Sequence, residues 1–220
     1  MRPQGRIQAV LFDLDGTLLD SLKDLADSVN VVLRRRGLPV HPEEAYRSFV
    51  GEGMERLVQR ALPEESRSGA LLQECVADLR EEYARRWDRT TRPYPGIPDL
   101  LDALVARSLP IAVLSNKPHE FTRACVARLL PRWNFSAVLG AGEEVPHKPD
   151  PAGAVAIASR LAVPREAVLF LGDGPTDVLA AIAAGMIPVG ALWGFRSEAE
   201  LRAAGARLLL HHPLELLPLL

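Results

Sequence analysis

The chain has 220 residues, a net charge of −2 and a hydrophobic content of 48%. The length fits one large domain or a core with a smaller attached domain, and the composition is ordinary for a soluble globular protein. The small net charge gives no electrostatic basis for binding nucleic acid or an anionic membrane, so neither is expected as a partner. Cys75 and Cys125 are far apart and match no zinc-binding spacing, which predicts a reducing, cytoplasmic location.

The first feature along the chain is an apolar run, 7–12, which predicts a buried strand and ends at Asp13. Asp15 and Gly16 follow, and the glycine lets the chain leave the strand so that both carboxylates turn toward one point. Because carboxylates are costly to bury unless paired or metal-bound, the pattern fits a metal site with one nucleophilic carboxylate and one general acid and base. An Asp-rich turn after a strand is the simpler explanation of these residues taken alone.

The segment 21–90 contains helical patterns and no strand candidate. Apolar residues at helical spacing predict helices at about 22–36, 42–49, 54–62 and 66–87. We expect this segment to form a small all-helical domain inserted after the first strand.

From Tyr94 onward, strand and helix patterns alternate. The apolar tail is predicted to be a last helix packed on the core, since it is too short to span a bilayer. The predicted strands are apolar runs, as expected for a parallel sheet that helices cover on both faces. The fold class is therefore predicted to be α/β, a doubly wound parallel sheet with a smaller helical domain. The predicted core domain comprises 1–20 and 91–220, and the helical domain 21–90. Further strands are predicted at 111–114, 137–139, 168–171 and 187–189, and helices at 99–107, 120–130, 152–161 and 176–184.

Polar residues stand at or near the ends of the predicted strands, where ligands bind in doubly wound folds. Each has an ordinary structural explanation by itself, as a helix cap, an exposed lysine or a tight turn. Lysine occurs only at Lys23, Lys117 and Lys148, and the last two lie at these positions. Taken together and in order, the strand-end residues predict one site, formed by Asp13, Ser115, Asn116, Lys148, Asp173 and Asp177.

Phosphoryl transfer requires positive or hydrogen-bonding groups around dispersed negative charge. The hydroxyl of Ser115, an amide N–H of Asn116 and the ammonium of Lys148 can hold phosphoryl oxygens. Asp13 and Asp173 can hold Mg²⁺, which prefers oxygen ligands. The predicted cofactor is therefore Mg²⁺.

The string D-x-D-G-T-L-x-D-S, residues 13–21, resembles the first motif of the haloacid-dehalogenase superfamily of phosphohydrolases. Ser115, Lys148 and the run from Gly172 to Asp177 resemble its other three motifs, so the resemblance covers essentially the whole chain. The helical segment lies where that superfamily has its helical cap domain.

The resemblance implies a role for each of these residues. Asp13 would be the nucleophile that forms an aspartyl-phosphate, and Asp15 would protonate the leaving oxygen and later activate water. Gly16 would contribute to phosphate binding. The backbone carbonyl of Asp15 would join Asp13 and Asp173 on Mg²⁺, and Asp177 would support the metal-bound waters or the motif lysine.

The runs 94–96, 115–118 and 170–173 look most like the phosphoglycolate phosphatase group, although Gly174 and Thr176 depart from its usual serine and asparagine. The resemblance implies a phosphatase for a small phosphomonoester, with 2-phosphoglycolate as first choice, acting as a monomer or homodimer. The alternatives are a sugar-phosphate phosphatase, a phosphotransferase of the β-phosphoglucomutase kind, and a non-catalytic binding protein on the same fold.

Substrate choice is expected in the helical cap, since the core motifs bind only phosphate and metal. The loop Gly51-Glu52-Gly53 precedes a predicted helix, whose free N–H groups could bind an anion such as a carboxylate. Arg47 and Arg56 could add charged hydrogen bonds. The alternative is an ordinary turn, and Glu52 disfavours an anion unless it pairs with an arginine.

Overall fold

A six-stranded parallel sheet forms the centre of the larger domain. The computed structural model describes residues 7–142 and 144–220. The sheet has the order β5-β4-β1-β6-β7-β8, while β2 and β3 pair separately as an antiparallel ribbon. This is the doubly wound order, in which the chain builds outward from β1 to one side and then to the other. The strands are β1 Ala9–Phe12, β2 Leu19–Asp20, β3 Arg92–Pro93, β4 Ile111–Pro118, β5 Ala137–Ala141, β6 Val168–Gly172, β7 Ile187–Ala191 and β8 Leu208–Leu210.

Helices cover both faces of the sheet. Val10 and Phe12 of β1 pack in the cluster that includes the apolar side of α5 and α6, and Ala9 and Leu11 pack against α7 and α8. This alternation buries all of β1, which is why the strand reads as an unbroken apolar run. Within the described ranges, no helix is long and apolar enough to cross a membrane. The helices are α1 Leu22–Arg35, α2 Tyr46–Phe49, α3 Met54–Ala61, α4 Ala70–Ala84, α5 Ile97–Ala106, α6 His119–Leu129, α7 Ala152–Leu161, α8 Pro175–Ala184 and α9 Glu198–Ala203.

Helices α1 to α4 have a hydrophobic core of their own, and we call this unit the cap. Buried side chains of all four helices meet there, among them the fully buried Tyr46 and Tyr83. Phe121 and Phe195 of the sheet domain pack against the same cluster, so the cap rests directly on the core. The exact domain boundaries, after residues 20 and 90, stay a prediction.

Several elements differ at their ends from the sequence prediction. Strand β1 starts at Ala9 because its register with β6 begins there. Helix α4 starts at Ala70 because Gly69 has a left-handed φ of +76°, which interrupts the helix predicted from about residue 66. The tail forms a 3₁₀ helix, Pro213–Leu219, that packs on α5, with Pro218 inside it. The two-residue strands β2 and β3 were not predicted, because they are too short to leave a period in the sequence.

Asp24, in the first turn of α1, links the two chain segments that connect the cap to the core. Its carboxylate accepts hydrogen bonds from the backbone N–H and the hydroxyl of both Thr90 and Thr91, at 2.7–3.1 Å. Burial alone would raise the pKa of Asp24, but the bonds from these two threonines hold it below its usual value. The charged carboxylate therefore stabilises the junction.

We expect Asp24→Asn to lower the free energy of unfolding at pH 7 by about 1.5–3 kcal/mol, because an amide cannot accept all of these hydrogen bonds. A lowered pKa means that the carboxylate stabilises the fold above its usual titration range, near pH 4, and that this contribution is lost as the pH falls through the lower folded-state value. In urea unfolding, the difference between variant and wild type should therefore be large at pH 7 and should shrink progressively as the pH falls below about 4. Asp27→Asn, which removes only an exposed pair with Lys23, is the control and should change stability by less than about 1 kcal/mol. An equal loss from both variants would contradict the proposed role of Asp24.

Candidate active site

The register of the sheet brings the polar strand ends together. Phe12, the last residue of β1, pairs with Val113 of β4 and with Leu171 of β6. Asp13 therefore emerges between the ends of both neighbouring strands, where Asp173 also lies. Strand β4 continues to Pro118 with a shifted register, so residues 115–117 extend a strand and do not cap a helix.

Lys148 is buried at the centre of this site. Its Nζ lies 2.8 Å from Asp13 Oδ1 and 2.6 Å from Asp177 Oδ1, and it donates to the carbonyl oxygen of Leu114 at 2.8 Å. Asn116 fixes the same residue by its backbone, since Asn116 Oδ1 accepts from Lys148 N at 2.7 Å and Asn116 Nδ2 donates to Lys148 O at 3.0 Å. Burial alone would lower the pKa of Lys148, but the two carboxylates raise it, so the ammonium stays charged.

Three carboxylates cluster at this site, and two of them, Asp13 and Asp177, contact the ammonium. One oxygen from each of Asp13, Asp173 and Asp177 lies within 4.8 Å of the others. Asp173 is oriented by bonds from Thr17 Oγ1 at 3.0 Å and from Phe195 N at 2.8 Å. Burial and the charge of Asp177 raise the pKa of Asp13 to about 8 and that of Asp173 to about 7. One ammonium does not balance three carboxylates, and a set of hard oxygen donors with excess negative charge is consistent with Mg²⁺.

Two glycines allow the backbone to approach this cluster closely. A Cβ on Gly16, which has a φ of +83°, would lie 2.3 Å from Asp173 Oδ2, and a Cβ on Gly194 would lie 2.3 Å from Asp173 Cβ. Gly16 was predicted to contribute to phosphate binding, and its N–H donates to the carbonyl oxygen of Leu19 at 2.9 Å. Gly194 was not identified from the sequence, where nothing near it resembles a motif.

Asp15 is held apart from the three clustered carboxylates. Its two oxygens accept bonds from Lys117 Nζ, each at 2.8 Å, and Oδ1 also accepts from Ser21 Oγ at 2.6 Å. Burial would lower the pKa of Lys117, but the Asp15 carboxylate raises it. The sequence analysis gave Lys117 no role, although the scarcity of lysine and its place beside Ser115 are signals that point to it.

Ser115 and Asn116, which both follow the apolar part of β4, make different contacts. Ser115 Oγ accepts a bond from Lys117 N at 3.3 Å, which leaves its own proton to donate. Asn116 Nδ2 donates to the carbonyl oxygen of Gly51 at 2.9 Å, in addition to its bond to Lys148. The Asn116 side chain therefore links the cap loop to the motif lysine, and its amide group is engaged by protein atoms.

The predicted specificity loop, 51–53, lies where the cap meets the core. Its two glycines have φ values of +117° and +88° and line the space between the domains. Glu52 pairs with Arg60 inside the cap, and Arg56 Nη1 donates to Gln59 Oε1 at 2.5 Å. The loop glycines thus line this space, while Glu52 and its partner Arg60 line a second space of about 240 Å³ that also reaches Asp13 and Asp173.

A small cavity of about 40 Å³ lies between the cap and the core. Arg47 and Arg56 are not among its lining residues, although both were predicted to bind an anion. Its core wall includes Asp13, Asp15, Ser115 and Lys117, and its cap wall is mostly apolar, with Leu25, Val50, Met54 and Leu57.

Two arginines fasten the cap loop to the core, and we call this pair the arginine latch. Arg196 of the core donates to the carbonyl oxygens of Arg47, of Val50 at 2.6 Å and of Ser48 at 3.3 Å. Arg47 Nη1 of the cap donates in return to Gly194 O at 2.9 Å. Because the neighbouring N–H, that of residue 195, binds a carboxylate of the cluster, the segment 194–196 touches both the cap and the candidate metal site.

Comparison with known proteins agrees with this geometry. The family model of haloacid dehalogenase-like hydrolases matches residues 7–185. The phosphoglycolate phosphatase of Yersinia pseudotuberculosis is 32% identical over 216 residues, which cover 96% of this chain and 92% of the relative. That of Mannheimia succiniciproducens is 36% identical over 198 residues, covering 87% and 88%.

Solved structures give the same result. A haloacid dehalogenase-like hydrolase from Streptococcus pneumoniae superposes with a TM-score of 0.86 at 25% identity, covering 96% of this chain and 97% of that one. A protein from Haemophilus somnus, described as a predicted phosphoglycolate phosphatase, gives 0.88 at 27% identity and 98% coverage of both chains.

The chain belongs to the haloacid dehalogenase-like hydrolases. Within that class it is a phosphatase, as its relatives are. The predicted family, the α/β fold class and the phosphatase activity are confirmed, while the roles of individual site residues stay predictions.

Proposed function

We propose that the protein is a Mg²⁺-dependent phosphatase that hydrolyses 2-phosphoglycolate through a phosphorylated Asp13. The observation that carries the proposal is the position of Asp13, which belongs to the carboxylate cluster and contacts the buried ammonium of Lys148. The curated relatives are named phosphoglycolate phosphatases, which supports the substrate. The free thiols of Cys75 and Cys125 support action in the reducing cytoplasm.

In the first step, a carboxylate oxygen of Asp13 attacks phosphorus, and the bond from phosphorus to the leaving oxygen breaks. Asp15 gives its proton to that oxygen, so the product leaves as an alcohol. The ammonium of Lys148 and the hydroxyl of Ser115 stabilise the charge that spreads over the phosphoryl oxygens. Lys117 and Ser21 keep Asp15 in position for this transfer.

In the second step, water attacks the phosphorus of the acyl phosphate, and the bond between phosphorus and the Asp13 oxygen breaks. Asp15, now a carboxylate, takes the proton from that water. Free phosphate is released and both carboxyl groups return to their initial states. One residue acting as acid and then as base needs no third titratable group.

The Mg²⁺ ion would be held by Asp13 and Asp173, with the backbone carbonyl of Asp15 as a third ligand. Asp177 is bound to Lys148 and to the N–H of Gly174, so it supports the site from outside. When bound, the ion supplies positive charge that reduces repulsion between an anionic nucleophile and an anionic phosphate. It would also relieve the repulsion that raises the pKa of the clustered carboxyls.

The space around the nucleophile does not by itself select the leaving group. Beside the cavity of about 40 Å³, a second of about 240 Å³ between cap and core also reaches Asp13 and Asp15. The preference for 2-phosphoglycolate over the sugar phosphatase and mutase alternatives therefore rests on the names of the relatives. The proposed enzyme acts on its small substrate alone, without nucleic acid or membrane, as a monomer or homodimer.

The test uses the purified enzyme, first treated with a chelator. We expect hydrolysis of 2-phosphoglycolate to appear when Mg²⁺ is added, with kcat/KM at least about tenfold higher than for glucose 6-phosphate, a difference of about 1.4 kcal/mol. Phosphate release from p-nitrophenyl phosphate should show the same dependence on Mg²⁺. Isomerisation of β-glucose 1-phosphate would instead identify a mutase, and no turnover of any ester would identify a binding protein.

The arginine latch yields a further prediction. Arg196→Ala removes the hydrogen bonds from the core to the loop that closes over the substrate, and we expect kcat/KM for 2-phosphoglycolate to fall about 10–100-fold. Steady-state kinetics measure this effect. Arg202→Ala, which removes only an exposed arginine paired with Glu198, is the matched control and should stay within about twofold. Similar kinetics for both variants would show that the latch does not position the loop.

A further inference from the structure

Within the described part of the chain, the hydroxyl of Tyr83, on α4 of the cap, forms no hydrogen bond of normal length. The side chain is fully buried, and the ammonium that lies near its oxygen is that of Lys117. An unpaired buried hydroxyl destabilises a protein, and phenylalanine would fill the same space without that cost. Such a group calls for an explanation outside the fold itself.

Tyr83 lines the cavity between cap and core, beside Lys117. Its ring packs edge-to-face on Phe121, with the ring centroids 5.2 Å apart, and Lys117 Nζ lies 4.8 Å from the Tyr83 ring centroid. Lys117 donates two hydrogen bonds to Asp15, and an ammonium has three protons. The phenol ring from the cap and the ammonium from the core therefore lie next to each other where the two walls of the cavity meet.

Both groups are donors under physiological conditions. Burial raises the pKa of the Tyr83 phenol, so the hydroxyl keeps its proton. Lys117 Nζ lies 2.8 Å from both carboxylate oxygens of Asp15, and this ion pair keeps the ammonium charged. A cavity with two donors, one of them cationic, is complementary to a group that only accepts hydrogen bonds and carries negative charge.

We propose that Tyr83 is a specificity-determining residue, whose hydroxyl binds the carboxylate of a small phosphorylated hydroxy acid together with the remaining proton of Lys117. The proposal rests on the function proposed above. The two bonds that Lys117 donates to Asp15 leave one proton of the ammonium for the substrate.

The test compares two substrates that differ only at the proposed contact. Ethyl phosphate has a methyl group where 2-phosphoglycolate has its carboxylate. We expect Tyr83→Phe to lower the ratio of kcat/KM for 2-phosphoglycolate to kcat/KM for ethyl phosphate by about 10–100-fold, the effect of one hydrogen bond to a charged group. The Tm of the substrate-free variant should equal or exceed that of the wild type, because the lost hydroxyl had no partner.

Tyr46→Phe is a matched control in the same domain. Tyr46 is equally buried, but its hydroxyl donates to Asn30 Oδ1 at 2.8 Å. Its removal should lower Tm by about 2–4 °C, as expected for the loss of one buried hydrogen bond, and should leave the substrate ratio unchanged.

Two results would overturn the role of Tyr83 alone. One is a wild-type preference for 2-phosphoglycolate that Tyr83→Phe leaves within twofold. The other is a fall in Tm like that of Tyr46→Phe, or loss of the folded state, which would identify the hydroxyl as a structural donor. A wild-type enzyme that hydrolyses both esters equally well would refute the proposed substrate, and the role of Tyr83 with it.

Discussion

Asp13→Asn should abolish turnover, with kcat reduced by at least about 10³-fold. The amide is a poor nucleophile and a poor metal ligand, so both functions proposed for this residue are lost together. The fold should survive, because Asn fills the same volume. Burial and Asp177 raise the pKa of Asp13 to about 8, so at pH 7 folding has to keep this carboxyl protonated, which an amide does not require, and Tm without metal should not fall.

The measurements are steady-state hydrolysis with Mg²⁺, thermal unfolding, and mass spectrometry of enzyme quenched during turnover. Wild-type enzyme should carry a phosphoryl group, and the variant should not. Asp20→Asn changes an exposed acid of the same motif and serves as the control, with activity within about twofold. Activity of Asp13→Asn within tenfold of the wild type, a loss of only about 1.4 kcal/mol, would exclude Asp13 as the nucleophile.

Asp15→Asn should slow 2-phosphoglycolate hydrolysis by about 10²–10⁴-fold, the usual contribution of general acid–base catalysis. The glycolate oxygen is a poor leaving group and needs the proton that Asp15 supplies. p-Nitrophenolate leaves without protonation, so with that substrate phosphorylation of Asp13 should remain fast. The second step still lacks its base, and the phosphorylated enzyme should therefore accumulate.

A rapid-mixing experiment with p-nitrophenyl phosphate measures this directly. The variant should release a burst of about one p-nitrophenol per enzyme and then turn over slowly, as expected for an accumulating covalent intermediate. Asn is preferred to Ala here because it keeps a partner for the buried Lys117 ammonium. A variant that shows no burst and loses both substrates equally would place the acid and base elsewhere.

Much of the site could be predicted because its residues lie at strand ends. The apolar runs 7–12, 111–114 and 168–171 marked three adjacent strands, and the polar residues that follow them meet at one edge of the sheet. Residues that act through distant partners were not predictable in this way. Gly194 has no neighbouring motif, and its importance comes from a carboxylate contact made across the fold.

The prediction for the cap was weaker for the same reason. Gly51 and Gly53 line the cavity, as predicted from the turn that they form. Their positive φ values are a property of the local chain, which a sequence pattern can indicate. Arg47 was expected to face the substrate, but it bonds to Gly194 O, and Glu52 pairs with Arg60. A long charged side chain takes its partner from whatever the tertiary packing brings near it, and sequence spacing does not specify that choice.

The sequence by itself determined the fold class, the family and the set of groups that phosphoryl transfer requires, because periodicity and motif spacing are local properties of the chain. Only the tertiary structure decided how those groups are paired. Lys117 and Asp15 are 102 positions apart, and Arg196 reaches the cap loop across 146 positions to Val50. Such pairs depend on the docking of the cap on the sheet, where burial strengthens each charge and removes the competing water.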